Sequence, residues 1–230
     1  MFLNSSYLIF MVPAFILMSL AQWYVNSAYK KWSKVENRAG LSGVEVARKL
    51  IEHGGLYDLD IEAARGRLSD HYDPKNKVLR LSQGVGQGRT VAAAAIAAHE
   101  LGHAQQDSQD YFPLRLRAAL VPAVNIGSYL GWILLMIGFF LNMTGVAWLG
   151  VAVFAGGAVF ALATLPVELD ASMRAREMLS SAGIITSQEE ERGVNQVLNA
   201  AAWTYVAGLL TAILQLLYYA SLVTGMGRRR

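Results

Sequence analysis

The chain has 230 residues, of which 54% are hydrophobic and only 16% charged, a balance that ordinary soluble domains rarely show and that points to a bilayer. Its net charge of +3 is matched by Arg228, Arg229 and Arg230 alone, so no basic patch is left to track a phosphate backbone and nucleic acid is not an expected partner. No cysteine is present, which removes disulfides and thiolate ligands, so any metal must be held by His, Asp or Glu.

Charged residues are missing from three stretches, Met1 to Tyr29, Ala118 to Val167 and Gly193 to Gly227. Spanning a bilayer takes about 20 apolar residues, so Tyr7 to Val25 makes one crossing, with Pro13 at most a kink. A cleaved signal peptide would need a basic segment ahead of the apolar run, and nothing before Tyr7 is charged; a retained anchor over residues 1–28 is expected.

Residues 29–117 form the largest polar stretch. Ser42 opens a helix with Val44, Ala47, Leu50 and Ile51 on one face, and Gly54 and Gly55 end it. "LYDLDIEAA" alternates imperfectly and suggests a strand. Arg67 to Tyr72 and Lys77 to Ser82, joined across a Pro-led turn, read as a β-hairpin. Gly84 to Gly88 read as a flexible turn, since "QGVGQGRT" lacks the order of a phosphate-binding loop. From Thr90, a good N-cap, "TVAAAAIAAHELGHAQQDS" is a helix of strong helix formers.

Residues 118–166 are too long for one crossing at about 1.5 Å per residue and suit a hairpin of two, near Val121 to Leu141 and Val146 to Leu165, turning at "LNMTG". Pro166 then starts an amphipathic helix, Glu189 to Glu191 read as a solvated helix start, and Ala202 to Thr224 supply the fourth span in the last segment, residues 167–230. With four crossings, Lys30, Lys31, Lys34, Arg38, Arg115, Arg117, Arg174 and Arg176 share one side, which the positive-inside rule makes the cytosol; Arg228 to Arg230 would fall opposite.

The chemistry centres on "HELGH". Positions four apart on a helix lie about 40° from each other, so His99 and His103 project from one face and can reach one zinc ion. Glu100, one step round, can reach a metal-bound water rather than the metal and act as general base. Two of the chain's four histidines fall at this spacing around a glutamate, and coincidence is a poor explanation. Ala94, Ala95, Ala97 and Ala98 give the helix a thin, close-packing face.

No histidine follows His103, so a carboxylate must complete the ligand set: Asp107, Asp110, Glu168, Asp170, Glu177 or one of Glu189 to Glu191. Glu168 is favoured over Asp170. An acid at a membrane exit is costly unless paired, and the hairpin returns "LPVELDAS" to the side from which the HExxH helix left.

The run "DHYDPKNKVLRLSQGVGQGRTVAAAAIAAHELGHAQQ", with "LPVELDAS" downstream, resembles the bacterial YugP-like neutral membrane zinc metallopeptidases over most of the chain, and the layout is similar to that of HtpX-type membrane gluzincins. The resemblance implies a zinc-dependent, membrane-embedded peptidase with His99, His103 and Glu168 as ligands and Glu100 as base. In those proteins the downstream glutamate belongs to an ExxxD pattern. Here the acidic position falls on Ser172, so Asp170 or Asp107 is expected to orient a histidine instead.

The expectation is thus a mainly α, four-span membrane protein with a small zincin-like α+β unit of β-hairpin and HExxH helix at the membrane face, hydrolysing peptide bonds in a peptide or membrane-protein substrate on the cytosolic side of a bacterial membrane. Among residues suited by type to stabilise a transition state, His71, Tyr72 and Arg174, the first is singled out. The strand Lys77 to Ser82 would offer an edge for an extended substrate. The rival is a zinc-binding membrane scaffold without proteolytic activity. A transporter would want ionisable groups inside the spans, which carry none.

Overall fold

The computed structural model describes residues 5–227, so the Arg228 to Arg230 tail and its side of the membrane lie outside the described residues. In chain order the elements are α1 (Ser5–Trp32), α2 (Gly43–Gly54), β1 (Asp60–Ala64), β2 (His71–Asp73), β3 (Val78–Ser82), α3 (Gln83–Gly86), α4 (Val91–Ser108), α5 (Phe112–Phe140), α6 (Thr144–Ser181) and α7 (Gln188–Gly227). The protein is mainly α-helical with one small three-stranded sheet. Among the described residues four helices, α1, α5, α6 and α7, are long and apolar enough to cross a membrane.

Two compact units divide the chain, one of Met1–Ala21, Arg115–Leu165 and Thr204–Arg230, the other of Gln22–Leu114 and Pro166–Trp203. The division falls inside α1, α5, α6 and α7.

The first unit holds the apolar stretches. Its core is small, built of Leu135, Ala147, Val151 and Val223. The α5–α6 turn comes where the sequence places it, with Asn142 at φ 55°, a left-handed conformation that asparagine tolerates better than most residues. Pro166 does not start a new helix: α6 runs unbroken through it. A helix of this length absorbs one missing N–H, as apolar spanning helices do when neighbouring groups satisfy the freed carbonyl.

The second unit is an α+β fold around α4. Ser42 caps α2 in a reciprocal box with Glu45, and Gly55 closes it at φ 68° in the left-handed region. Val46, Ala47, Leu50 and Ile51 of α2 are buried in the core that also takes Leu79, Leu81, Val85, Leu101 and Leu179. The strand order is β1-β3-β2, with β1 parallel and β2 antiparallel to β3. The expected hairpin forms, but its first strand begins at His71 rather than Arg67.

This topology corrects two expectations. β3 is the central strand, paired on both sides, so it offers no edge to a substrate; the free edges are β1 and β2. Its parallel partner was hidden because parallel pairing links segments without a short turn. The glycine-rich segment is not a flexible turn either. Gln83–Gly86 is a short helix with Val85 and Gly86 buried, and its glycines permit close approach: a Cβ on Gly88 would lie 2.5 Å from the Gly84 carbonyl oxygen.

Glu190 is a further correction, since it is buried rather than solvated. Its carboxylate accepts the backbone N–H of Arg38 (2.8 Å) and of Ser187 (3.1 Å) and the Ser187 hydroxyl (2.8 Å), fastening the start of α7 to the chain that follows α1. Buried carboxylates persist where such donors replace water.

Candidate metal centre

Thr90 caps α4 by accepting the Ala93 N–H at 3.2 Å, and Ala94, Ala95, Ala97 and Ala98 are fully buried. Without bulk on that face the core closes tightly around the helix. Gly102, between the two histidines of the motif, lies against α6: a Cβ there would sit 2.5 Å from the Ala171 carbonyl oxygen. That approach brings Glu168, one turn before Ala171, opposite His99 and His103.

Glu168 is 2% exposed, and the side chains of His99 and His103 are 13% and 11% exposed. Both imidazoles turn Nε2 to the same carboxylate oxygen, Oε2 of Glu168, at 3.3 Å from His99 and 3.6 Å from His103. The rings stand edge to face with centroids 4.9 Å apart. One donor atom from each of the three residues lies within 4.8 Å of the other two. Two imidazole nitrogens and one carboxylate oxygen form a donor set suited to zinc, and three protein ligands are the number that catalytic zinc sites use.

The electrostatics fit a cation. Burial pulls the His103 imidazole down, but its bond to Glu168 and the nearby carboxylates of Glu100 and Glu168 outweigh this and hold it above its ordinary value, so the pocket favours positive charge there. Burial raises the Glu100 carboxyl above the usual carboxylate range, against the pull of the two imidazoles. The backbone N–H of Tyr72 donates to Glu100 Oε2 at 3.1 Å, which ties β2 to the motif helix.

Behind the donor atoms, each imidazole meets a second partner. Nδ1 of His99 lies 3.2 Å from the Ser172 hydroxyl, and Nδ1 of His103 lies 3.1 Å from Gln106 Oε1. Ser172 therefore stands against a histidine at the ExxxD position even though it carries no charge. Gln106 and Ser172 escaped the sequence reading, which looked only for acids in this role. The available signal was position: Gln106 lies one turn beyond His103 on the same helix, and Ser172 one turn beyond Glu168.

The other candidates are placed elsewhere. Asp107 turns from the histidines to the Tyr72 hydroxyl (2.7 Å) and the Lys77 ammonium (2.5 Å). Burial and Asp107 together push the Tyr72 phenol well above its ordinary value, so it stays a donor committed to that carboxylate. Asp170 holds Arg174 (2.5 Å) and Gln106 (2.7 Å), and so reaches His103 only through the amide. His71 is exposed, with Nδ1 2.9 Å from the Ser69 carbonyl oxygen. Asp110, Glu177, Glu189, Glu190 and Glu191 stand outside the three-residue group.

A mainly helical chain with four apolar helices and a His–His–Glu group assembled from an HExxH helix and α6 has the make-up of a membrane zinc peptidase. The comparisons agree. The family model described as "putative neutral zinc metallopeptidase" matches residues 7–224, and the chain belongs to that family. It is 44% identical over 199 residues to the "Putative membrane protease YugP" of Bacillus subtilis (strain 168), covering 86% of this chain and 88% of that protein. No solved structure matches.

Proposed function

We propose that this protein is a membrane-embedded zinc metalloendopeptidase that holds its metal through His99, His103 and Glu168 and uses Glu100 as general base. The observation that carries the reading is the meeting of one donor atom from each of those three residues in a single pocket, with the Glu100 carboxylate alongside. Bound zinc would supply Lewis-acid polarisation of a scissile carbonyl and a lowered pKa for water. Glu100 takes a proton at its carboxylate and returns it to the departing amine nitrogen, a transfer for which a carboxyl group raised by burial is suited. Tyr72, through its N–H, keeps that carboxylate oriented.

An extended peptide would pair with the outer edge of β2, the edge strand whose residue Tyr72 reaches Glu100. For the developing oxyanion we propose His71, exposed at the start of β2, whose ring would have to leave the Ser69 carbonyl on substrate binding. The basic residues Lys30, Lys31, Lys34, Arg38, Arg115, Arg117, Arg174 and Arg176 support a cytosolic site, and peptides or membrane proteins within reach of the bilayer are the substrate class.

Glu100→Gln in detergent-purified protein is expected to lower chelator-sensitive cleavage of casein about 10²- to 10⁴-fold while zinc is retained. Cleavage at the wild-type rate by that variant would sink the mechanism. Zinc binding without any cleavage by the wild type would favour a scaffold.

A further inference from the structure

Gln106 is fully buried, and its amide is anchored from two sides. Nε2 lies 2.8 Å from the Val167 carbonyl oxygen and 2.7 Å from Asp170 Oδ2. The carbonyl can only accept, and so can the Asp170 carboxylate, whose charge is held by Arg174 Nε at 2.5 Å. Both amide protons are therefore committed, and the reversed amide would set its oxygen against two acceptors. Oε1 is consequently the atom that meets His103 Nδ1 at 3.1 Å.

An amide oxygen has only lone pairs, so the proton in that contact belongs to Nδ1. An imidazole that ligates a metal is neutral and carries one N–H, which leaves Nε2 of His103 as the bare nitrogen, and Nε2 is the atom that faces Glu168. We propose that Gln106 is the positioning residue that commits His103 to ligate metal through Nε2.

The chain of contacts runs from the Arg174 guanidinium to the Asp170 carboxylate, the Gln106 amide, the His103 ring and the donor cluster. Asp170 polarises the amide, which strengthens Oε1 as an acceptor and makes the imidazole a better donor to a metal. Arg174 is itself fixed by Gln109 Oε1 at 2.7 Å and lies over the Tyr111 ring. The bond to Val167 adds a second effect. Val167 directly precedes Glu168, so one side chain clamps the ring of one ligand to the helical turn that carries another. The His99 ring meets the same helix through a neutral group, its Nδ1 facing the Ser172 hydroxyl one turn beyond Glu168.

This inference rests on the reading of His103 as a zinc ligand and deepens it. The test is zinc affinity of the full-length chain in detergent, measured by competition with a chromophoric chelator. Gln106→Leu removes acceptor and donor together and is expected to bind zinc about 10- to 100-fold more weakly. Gln106→Glu combined with Asp170→Asn keeps an acceptor on Nδ1 and returns a donor from position 170, although it gives up the donor to the Val167 carbonyl; it is expected to bind zinc at least about threefold more tightly than Gln106→Leu. A residue that merely filled space would not be rescued by that exchange.

Two outcomes overturn the proposal: Gln106→Leu binding zinc as tightly as wild type, or the double variant binding as weakly as Gln106→Leu. Should Gln106→Leu fail to fold, the double variant is compared with Gln106→Glu alone, and equal affinities overturn it. Wild-type protein that takes up no zinc rejects the metal site itself, and the role of Gln106 with it, a result distinct from either failure above.

Discussion

Large apolar side chains stay open in the unit built of residues 1–21, 115–165 and 204–230: Tyr129 is 78% exposed, Phe140 80% and Ile126 68%. In the unit of residues 22–114 and 166–203 the pattern reverses, with Leu50, Leu79, Leu101 and Leu198 at 2% or less. The first pattern is what a chain shows when lipid is its solvent, since exposure there costs nothing; the second is a water-excluding core. Both units nevertheless bring helices together in the same way, by setting a small residue against another helix's backbone. In the apolar unit Gly138 packs on Ala147, and in the α+β unit Gly102 packs on Ala171. In one the contact closes a hairpin, and in the other it sets the spacing of the His99, His103 and Glu168 group.

If the metal site belongs wholly to the α+β unit, the largest effect comes from Glu168. Glu168→Ala removes the carboxylate to which both imidazoles turn and is expected to leave zinc well below stoichiometric by elemental analysis, with the helical content unchanged in far-UV circular dichroism. Asp170→Ala, one residue outside the donor group, is expected to retain more zinc than Glu168→Ala. The reverse order would move the third ligand to Asp170.

The paired glycines break the comparison more finely. At either position a new methyl group must displace backbone, because the space is already filled: 2.5 Å to the Ala171 oxygen from position 102, and 2.5 Å to the Ala147 nitrogen from position 138. Overpacking of this kind costs about 1–3 kcal/mol, against a gain of about 1 kcal/mol in helix propensity. Gly102→Ala is expected to lower zinc occupancy by moving Glu168 from the histidines. Gly138→Ala is expected to lower thermal stability in detergent and leave zinc stoichiometry intact. Equal zinc loss in both variants would mean that the two units do not bear on the site separately.

The ligand candidates were legible because their chemistry imposes spacing: two histidines one helical turn apart announce a shared face, and the charge-free hairpin explains how residue 168 returns to residue 99. The spans were legible for a similar reason, since a bilayer demands long apolar runs. What stayed hidden depended on non-local packing. Nothing near Val78 signals that β1 pairs beside it, so β3 read as an edge. The glycines from Gly84 to Gly88 read as flexible because glycine serves both loose turns and close approach, and only the neighbours decide which. Glu190 read as solvated because the partner that draws it inward, the Arg38 N–H, comes from a distant segment, while Ser187 is a local cap. Gln106 and Ser172 were passed over for a different reason: neutral groups in a second layer leave no charge pattern behind.

Ser172 gives the smallest predicted effect and the sharpest contrast with Gln106. It occupies the place where an ExxxD pattern has its acid, and it is 2% exposed. A carboxylate so deeply buried would have to be matched by a protonated His99 Nδ1 or lose its charge, whereas a hydroxyl needs neither. A neutral hydrogen bond contributes roughly 0.5–1.5 kcal/mol, so Ser172→Ala is expected to weaken zinc binding roughly two- to tenfold in the same chelator competition. The neutral partner on His99 and the amide-relayed carboxylate on His103 would then differ in strength as their chemistry says they should. A loss for Ser172→Ala as large as that for Gln106→Leu would show the two histidines to be held equally, and the asymmetry between them would have to be given up.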